Sequence, residues 1–538
     1  MTTTVPAILT QQDVLDEVFS HLTPEWIEVV SPAWDEDPDP DTEDPDYDPS
    51  AEADRKLLRS TLATAALVCR IFSEKALAAL WRVLDNIVPL LRLLPGTRSL
   101  SNIRIYRDIS DTTWSKFQSY ARRVRKLNSL EPSVPIHPST WHILVQRLAG
   151  APLLPRLRCL KVAIMPPQVL QGVLLLSPTL QRIVLSTPSD GDEPDTDPET
   201  GVFVDNLVRH IFLLSVPADV RRAIQSAAPD ASHHVQSLGR FTAVQDLDLF
   251  FAPVRIGYET LQALSCLESL RTLHAYVSLG TMPSSASFRD GFPVLVALSL
   301  RGSLEDSLKL LQALPPEKLT ELELCTETSV TDTVEDYKRF LASVRPLISL
   351  SLEYLCLSPS RLEPHSALSL ADIIRPMLPL RELSSFKCKL GVYPSDGDLR
   401  AFATAWPRLT NFSATHYDDM PDLEPVTVPG LIDLLQRCPH LESIELATLD
   451  VAHLPSPSAV PRLENRVREL EIDQFVGEAE ADLLAFALII DRLLPCLNVP
   501  RSITAATQET RWTDKLWDRV RLLVAPLQAA RRYDTATT

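Results

Sequence analysis

One short apolar pattern returns through most of the 538 residues and limits what the chain can fold into. It is an apolar residue, two variable residues, an apolar residue, one variable residue and a further apolar one. It appears as Leu157, Leu160 and Val162, then Leu180, Ile183 and Leu185, then Val244, Leu247 and Leu249. Leu270 and Leu273 follow, then Leu295, Leu298 and Leu300, then Leu319, Leu322 and Leu324. A less regular group lies around Leu352, Leu355 and Leu357, then Leu380 and Leu383, then Trp406, Leu409 and Phe412. The series ends with Leu441, Ile444 and Leu446 and with Val467, Leu470 and Ile472. Alternating apolar residues over so few positions make a strand, and equivalent residues recur every 23 to 33 positions except between Ile183 and Leu247. A period of that size marks a repeat architecture, in which each unit buries its face only against its neighbours.

The stretches between the strands complete the unit. Leu304 to Leu314 and Val334 to Val344 read as helices. With 14 Gly against 44 Pro, the chain lacks the glycines that tight hairpins and phosphate-cradling loops need, so an all-β sandwich or nucleotide fold is disfavoured. Proline suits the stops between repeats. At the C-terminal end, Leu483, Ala487, Ile490 and Leu494, then Leu516, Val520 and Leu523, predict two amphipathic helices that cap the array.

The net charge of -18 is concentrated in two segments. Residues 35–54 hold eleven carboxylates and residues 188–200 hold six, with no Lys or Arg in either, which leaves the rest of the chain close to neutral. Both segments have the composition of solvated disorder. No basic run points to nucleic acid, and no apolar run reaches membrane-spanning length. The eight cysteines are scattered without a CxxC pair, which argues against a zinc cluster or a disulfide framework. No GxxxxGK[ST], GxGxxG, HExxH or GxSxG motif is present, so neither an enzyme nor a cofactor or metal site is expected.

The stretch from Leu57 to Leu94 carries the most specific wording. Leu58, Leu62, Ala65 and Cys69, then Ala76, Leu77, Leu80, Trp81 and Leu84, recur at helical spacing, with Ser73 placed as the N-cap of the second segment. Upstream, Leu9, Leu15, Val18, Phe19 and Leu22 form an apolar stripe with Thr10 and Asp13 as a capping pair. Leu67-Val68-Cys69-Arg70, Phe72 and the helix ending in Leu80-Trp81-Arg82 resemble an F-box, with Thr10 in place of the usual proline and about thirty residues inserted between its first two helices. The body resembles a leucine-rich repeat, although its period is long and the usual Asn or Cys after the last strand leucine is mostly missing.

These resemblances imply an α/β fold: an F-box-like helical unit over residues 7–95 with an acidic insertion at 31–55, and a degenerate leucine-rich-repeat horseshoe over 96–476 interrupted at 188–200. Parallel strands would line its inside and helices its outside, with a helical cap and tail over 477–538. A parallel α/β sheet that is not a horseshoe is the alternative fold, and an N-terminal helical cap the alternative for the first unit. Together the two resemblances are similar to the F-box and leucine-rich-repeat proteins abundant in mushroom-forming fungi. That likeness implies a substrate-recognition subunit of an SCF-type cullin-RING ubiquitin ligase, cytoplasmic or nuclear, acting by proximity and not by bond chemistry. Leu9, Leu15, Val18, Leu22, Leu67, Val68, Cys69 and Trp81 would form or support the interface with a Skp-family adaptor, each being equally a candidate for core packing.

The strand positions between the inward leucines should face an open surface. They include Asp246, Asp248 and Phe250; Thr272, His274 and Tyr276; Glu321 and Glu323; Ser443 and Glu445; and Glu469, Glu471 and Asp473. Acids outnumber bases there, which suggests capture of a protein client through a basic segment, with Phe250 and Tyr276 as anchors. A merely solvated strand face accounts for the same residues. A repeat scaffold without a ligase role, or an enzyme built on a solenoid, are the other readings.

Overall fold

The computed structural model describes residues 15, 17–19, 22, 49–95, 103–105, 108–128, 136–149, 151–163, 177–186, 243–251, 255–280 and 288. It further describes 291–315, 318–327, 333–359, 369–390, 392, 394–415, 425–463, 465–477, 483–497 and 519–530. Two compact units divide the chain, Met1–Tyr276 with Gly291–Val294, and Val277–Asp290 with Leu295–Thr538.

The first unit opens with helical residues at 15 and 17–19, α1 (Pro49–Ala65) and α2 (Arg70–Leu80). Leu15, Phe19, Leu62, Ala76 and Ala79 form one buried cluster, with Phe19 and Phe72 meeting edge to face at 5.6 Å. The long insertion therefore does not keep the first apolar stripe from packing on the hairpin. Two local expectations shift. Helix α1 starts at Pro49, inside the segment 31–55 read as disordered, and proline is pre-set for the first turn of a helix. Helix α2 starts at Arg70, leaving Ser73 inside it; Cys69 is extended (φ -160°, ψ 170°) and its carbonyl accepts the Ser73 N–H at 2.8 Å.

The sheet of this unit follows in chain order: β1 (Val83–Leu84), β2 (Lys126–Leu127), β3 (Cys159–Ala163), β4 (Arg182–Ser186), β5 (Asp246–Phe251) and β6 (Thr272–Tyr276). Each strand pairs in parallel with the next, and Leu84, Leu127, Leu160, Ile183, Leu247 and Leu273 stand in one register. The long step from Ile183 to Leu247 does not break this ladder. Between the strands lie α3 (Val88–Leu91), α4 (Asp111–Ala121), α5 (Pro138–Leu148) and α6 (Tyr258–Leu264). The acidic segment 188–200 and Leu9 fall outside the described residues.

The second unit repeats the rule with β7 (Ala297–Ser303), β8 (Glu321–Glu327), β9 (Tyr354–Leu357), β10 (Ser385–Cys388), β11 (Asn411–Ala414), β12 (Val426–Thr427), β13 (Ser443–Asp450) and β14 (Glu469–Val476). Leu298, Leu322, Leu355, Phe386, Phe412, Ile444 and Leu470 share its central register. β12 pairs with the last two residues of β13, on the same parallel terms. In β10 the inward residues are Phe386 and Cys388, so Leu383 takes the place that Leu409 takes before β11, and the expected pair Leu380 and Leu383 was one position early in the pattern. The helices α7 (Leu304–Ala313), α8 (Val334–Val344), α9 (Leu370–Ile373), α10 (Asp396–Ala405) and α11 (Val428–Arg437) pack each against the next. The unit is thus an α/β solenoid of strand and helix repeats, its helix-facing strand residues buried and its other face open.

A second signal, overlooked beside the leucines, starts these helices. Ser303, Thr333, Ser369 and Ser395 cap α7 to α10, each accepting the N–H of an Asp three residues on. At Asp398 this cap also joins two repeats: its carboxylate accepts the N–H and hydroxyl of Ser395 (2.8 Å each), the Ser369 hydroxyl and the Ala371 N–H (2.8 Å). Asp396 does the same for the next helix, accepting the Thr427 N–H at 2.9 Å and hydroxyl at 2.6 Å. That carboxylate fills the space where a side chain at position 430 would begin, so the fourth position of this cap is Gly430 and not Asp. Asp398→Ala strands several buried donors at once and is expected to cost about 2–4 kcal/mol, read as a lower denaturant midpoint.

Helix α12 (Leu483–Leu493) and the helical residues 519–530 close the chain. Asn465 donates to the Leu493 carbonyl at 2.6 Å and Gln528 to that of Leu494 at 3.0 Å, which satisfies carbonyls at the end of α12. The buried face of the last helix is Val520, Val524 and Gln528 in place of the expected Leu523.

Candidate protein-binding surfaces

Apolar residues meet solvent at the start of the chain. The turn between α1 and α2 holds Leu67 at 88% and Val68 at 67% exposure, followed by Ile71 at 44%, with Val18 at 48% on the first helical segment. The turn follows α1 directly, and its backbone is tied by Leu67 N–H to the Thr64 carbonyl (3.0 Å) and Val68 N–H to that of Ala65 (3.2 Å). The leucine and valine are therefore held outward by backbone geometry, not left loose. Cys69 is also exposed. Of the other residues assigned to adaptor docking, Leu15 is in the buried cluster and Leu22 packs against it. Trp81 is half-buried and its ring lies 4.7 Å from that of Tyr120 in α4, toward the first repeats.

The open face of the second unit can be read as rows across the strands. One row runs Ala297, Glu321, Tyr354, Ser385, Asn411, Ser443 and Glu469. The next runs Ser299, Glu323, Cys356, Lys387, Ser413, Glu445 and Glu471. The acids form two groups, on β8 and on β13 with β14, separated by β9 to β11, where Tyr354, Lys387 and Asn411 reach the surface. Glu323 accepts the Ser299 hydroxyl and Glu445 the Ser413 hydroxyl, both at 2.6 Å, so the serines beside each acid fix its carboxylate upright on the sheet. Sequence spacing misses Lys387 because the expected register of β10 falls one step early.

Charge repulsion is concentrated at the second group. Partial desolvation, then Glu445, push the Glu471 carboxyl above its ordinary value, with Arg521 pulling it back and Glu469 adding a smaller push. A raised carboxyl disfavours the fold once it must ionise, so the penalty is present above the ordinary carboxylate range and absent below it. Glu471→Gln is therefore expected to raise the melting temperature near neutral pH, and this gain should disappear below about pH 4. An equal gain at both pH values would remove Glu471 as the strained group.

The open face of the first unit is mixed. Asp246 stands opposite Arg182, and Asp248 opposite Val184; on the next strand burial lowers the Lys161 ammonium from its ordinary value, against a smaller opposing pull from Asp248. Asp248 also accepts the Phe250 N–H at 3.1 Å. His274 pairs in register with Asp248, and Arg255 lies over the Tyr276 ring at 5.0 Å, so that ring is already occupied on one side. Among the described residues no group of three or more His, Cys, Asp or Glu could hold a metal ion, and no helix is long and apolar enough to cross a membrane.

No family model and no curated protein matches the chain. Among solved structures, the leucine-rich repeat-containing protein LegL7 from Legionella pneumophila is similar over 65% of this chain and 93% of its own, at 11% identity and a TM-score of 0.30. The repeat fold assigned to each unit rests on its own strand register and helix order.

Proposed function

We propose that the chain is a protein-binding receptor whose N-terminal hairpin docks a Skp-family adaptor of an SCF-type cullin-RING ubiquitin ligase, while the open strand faces hold a protein client. The observation that carries this reading is the exposure of Leu67 and Val68 on a hairpin whose own core is already complete. Adjacent large apolar side chains held in water by a tied turn mark a surface that another protein covers. The glutamates on β8 and on β13 with β14 supply the chemistry for a basic client segment. No bond chemistry is required of such a receptor, which raises the local concentration of a target.

A scaffold without a ligase role is favoured by a different observation. β1 begins three residues after α2 ends, Trp81 packs on Tyr120, and Arg59 of α1 pairs with Asp85 at 2.6 Å, so the hairpin is joined to the first repeats as a cap would be. Co-expression of the full chain with a Skp-family adaptor separates the two. A complex that survives purification at moderate salt supports the receptor; a well-folded chain that never retains adaptor leaves the scaffold.

A further inference from the structure

Strand register puts the charges on the open face of the second unit in an order that the sequence does not display. Glu321 and Glu323 stand on β8, Lys387 on β10, and Glu445, Glu469 and Glu471 on β13 and β14. The facing residues between them are uncharged, Tyr354 and Cys356 on β9 and Asn411 and Ser413 on β11. Read across the strands, the face is acidic, neutral, basic, neutral and acidic again. In one row, β9 separates Lys387 from Glu323 and β11 separates it from Glu445. Neighbouring strands lie about 4.8 Å apart, so each change of sign takes roughly 10 Å.

The members of this pattern are held by neutral neighbours and not by each other. The Ser299 and Ser413 hydroxyls fix Glu323 and Glu445 at 2.6 Å each, and among the described residues no ion pair joins Lys387 to either group of acids. The other bases of this face lie at its margins: Arg301 on β7 pairs with Glu327 at 3.3 Å, and Arg521 borders Glu471. A segment laid across the strands therefore meets two acidic stations with a basic one midway. A uniformly basic segment suits both ends but brings a like charge against Lys387, and an acid at its middle replaces that repulsion by attraction.

We propose that the open face of the second unit selects a helical segment of a partner protein that presents a basic, an acidic and a basic residue on one side at seven-residue intervals. This rests on the reading that the face holds a protein client, and it names the charge order of that client. An α-helix rises about 1.5 Å per residue, so every seventh residue returns to nearly the same side about 10.5 Å further on, close to the interval between the stations. An extended strand does not fit. Three of its residues also span about 10 Å, but side chains alternate along it, so the first and fourth point to opposite sides.

The test uses the full chain and labelled helical peptides built on Ala and Gln, about twenty residues long so that the helix holds. At seven-residue intervals one peptide carries Lys, Glu and Lys, a second Lys, Lys and Lys, and a third Glu, Lys and Glu. Binding is followed by fluorescence anisotropy at low and physiological salt. The Lys-Glu-Lys peptide is expected to bind about fivefold or more tightly than Lys-Lys-Lys, and Glu-Lys-Glu most weakly, with margins that shrink as salt rises. Lys387→Glu should reverse the order of the first two peptides, whereas a damaged face would weaken both. Equal binding of those two by the parent, or an unchanged order in Lys387→Glu, would overturn the charge order and leave a simply basic client in place. Failure of all three peptides to bind would overturn it together with the reading of the face on which it rests.

Discussion

Full-length protein carrying Leu67→Asp and Val68→Asp is expected to lose co-purification with a Skp-family adaptor while unfolding at the same denaturant midpoint as the parent. Both side chains are largely in water, so replacing them removes no core contact. In a complex they would be covered. Each buried apolar side chain of this size contributes about 1.5–3 kcal/mol, and a carboxylate in its place would have to be desolvated without a partner. The two together should weaken binding by at least about a hundredfold, since roughly 1.4 kcal/mol is tenfold. The parallel variant Leu62→Asp strikes the buried cluster instead and should unfold the hairpin, which separates a docking defect from a folding defect. Adaptor retained by the Leu67 and Val68 double variant would move the apolar turn out of the interface.

Trp406→Ala is expected to cost the second unit about 3–5 kcal/mol, the range for emptying a large buried aromatic site. Trp406 is fully buried and touches two rings, Phe402 stacked at 5.4 Å and Phe386 at 4.7 Å, and these in turn meet Phe412, 6.0 Å from Phe402 and 6.2 Å from Phe386. These residues come from β10, α10 and β11 and the end of α10, so one cavity loosens two successive repeats. In an array where each unit is held by its neighbours, such a loss propagates along the stack. Among the described residues Trp406 Nε1 meets no acceptor, so Trp406→Phe gives up part of the volume and also an unsatisfied donor, and should cost only about 1 kcal/mol. Denaturant unfolding followed by circular dichroism measures both. Equal losses for alanine and phenylalanine would show that the ring contacts are not what holds this layer.

The repeats were legible because the physical constraint is local and periodic. A strand buried on one face must alternate, and a solenoid must present the same alternation at every turn, so Leu160, Leu247, Leu322 and Leu470 declare their role without a neighbour in view. Where aromatic residues replace leucines the signal blurs, and β10 was read one step early because Phe386 and Cys388 fill the inward sites. The caps were equally local, Ser or Thr followed three residues later by Asp, and could have been found beside the leucines. Helix α2 could not, since Cys69 begins it without a side-chain cap.

Surface chemistry divides differently. Sequence alternation by itself determined that Glu321, Glu323, Glu445, Glu469 and Glu471 share the face opposite the leucines, because side chains on a strand alternate whatever the strand pairs with. Only the tertiary structure decided that these acids form two groups and not one, with Lys387 standing between them. Charge repulsion and attraction act over a few ångströms of space, and strand register, not distance along the chain, sets which charges come that close.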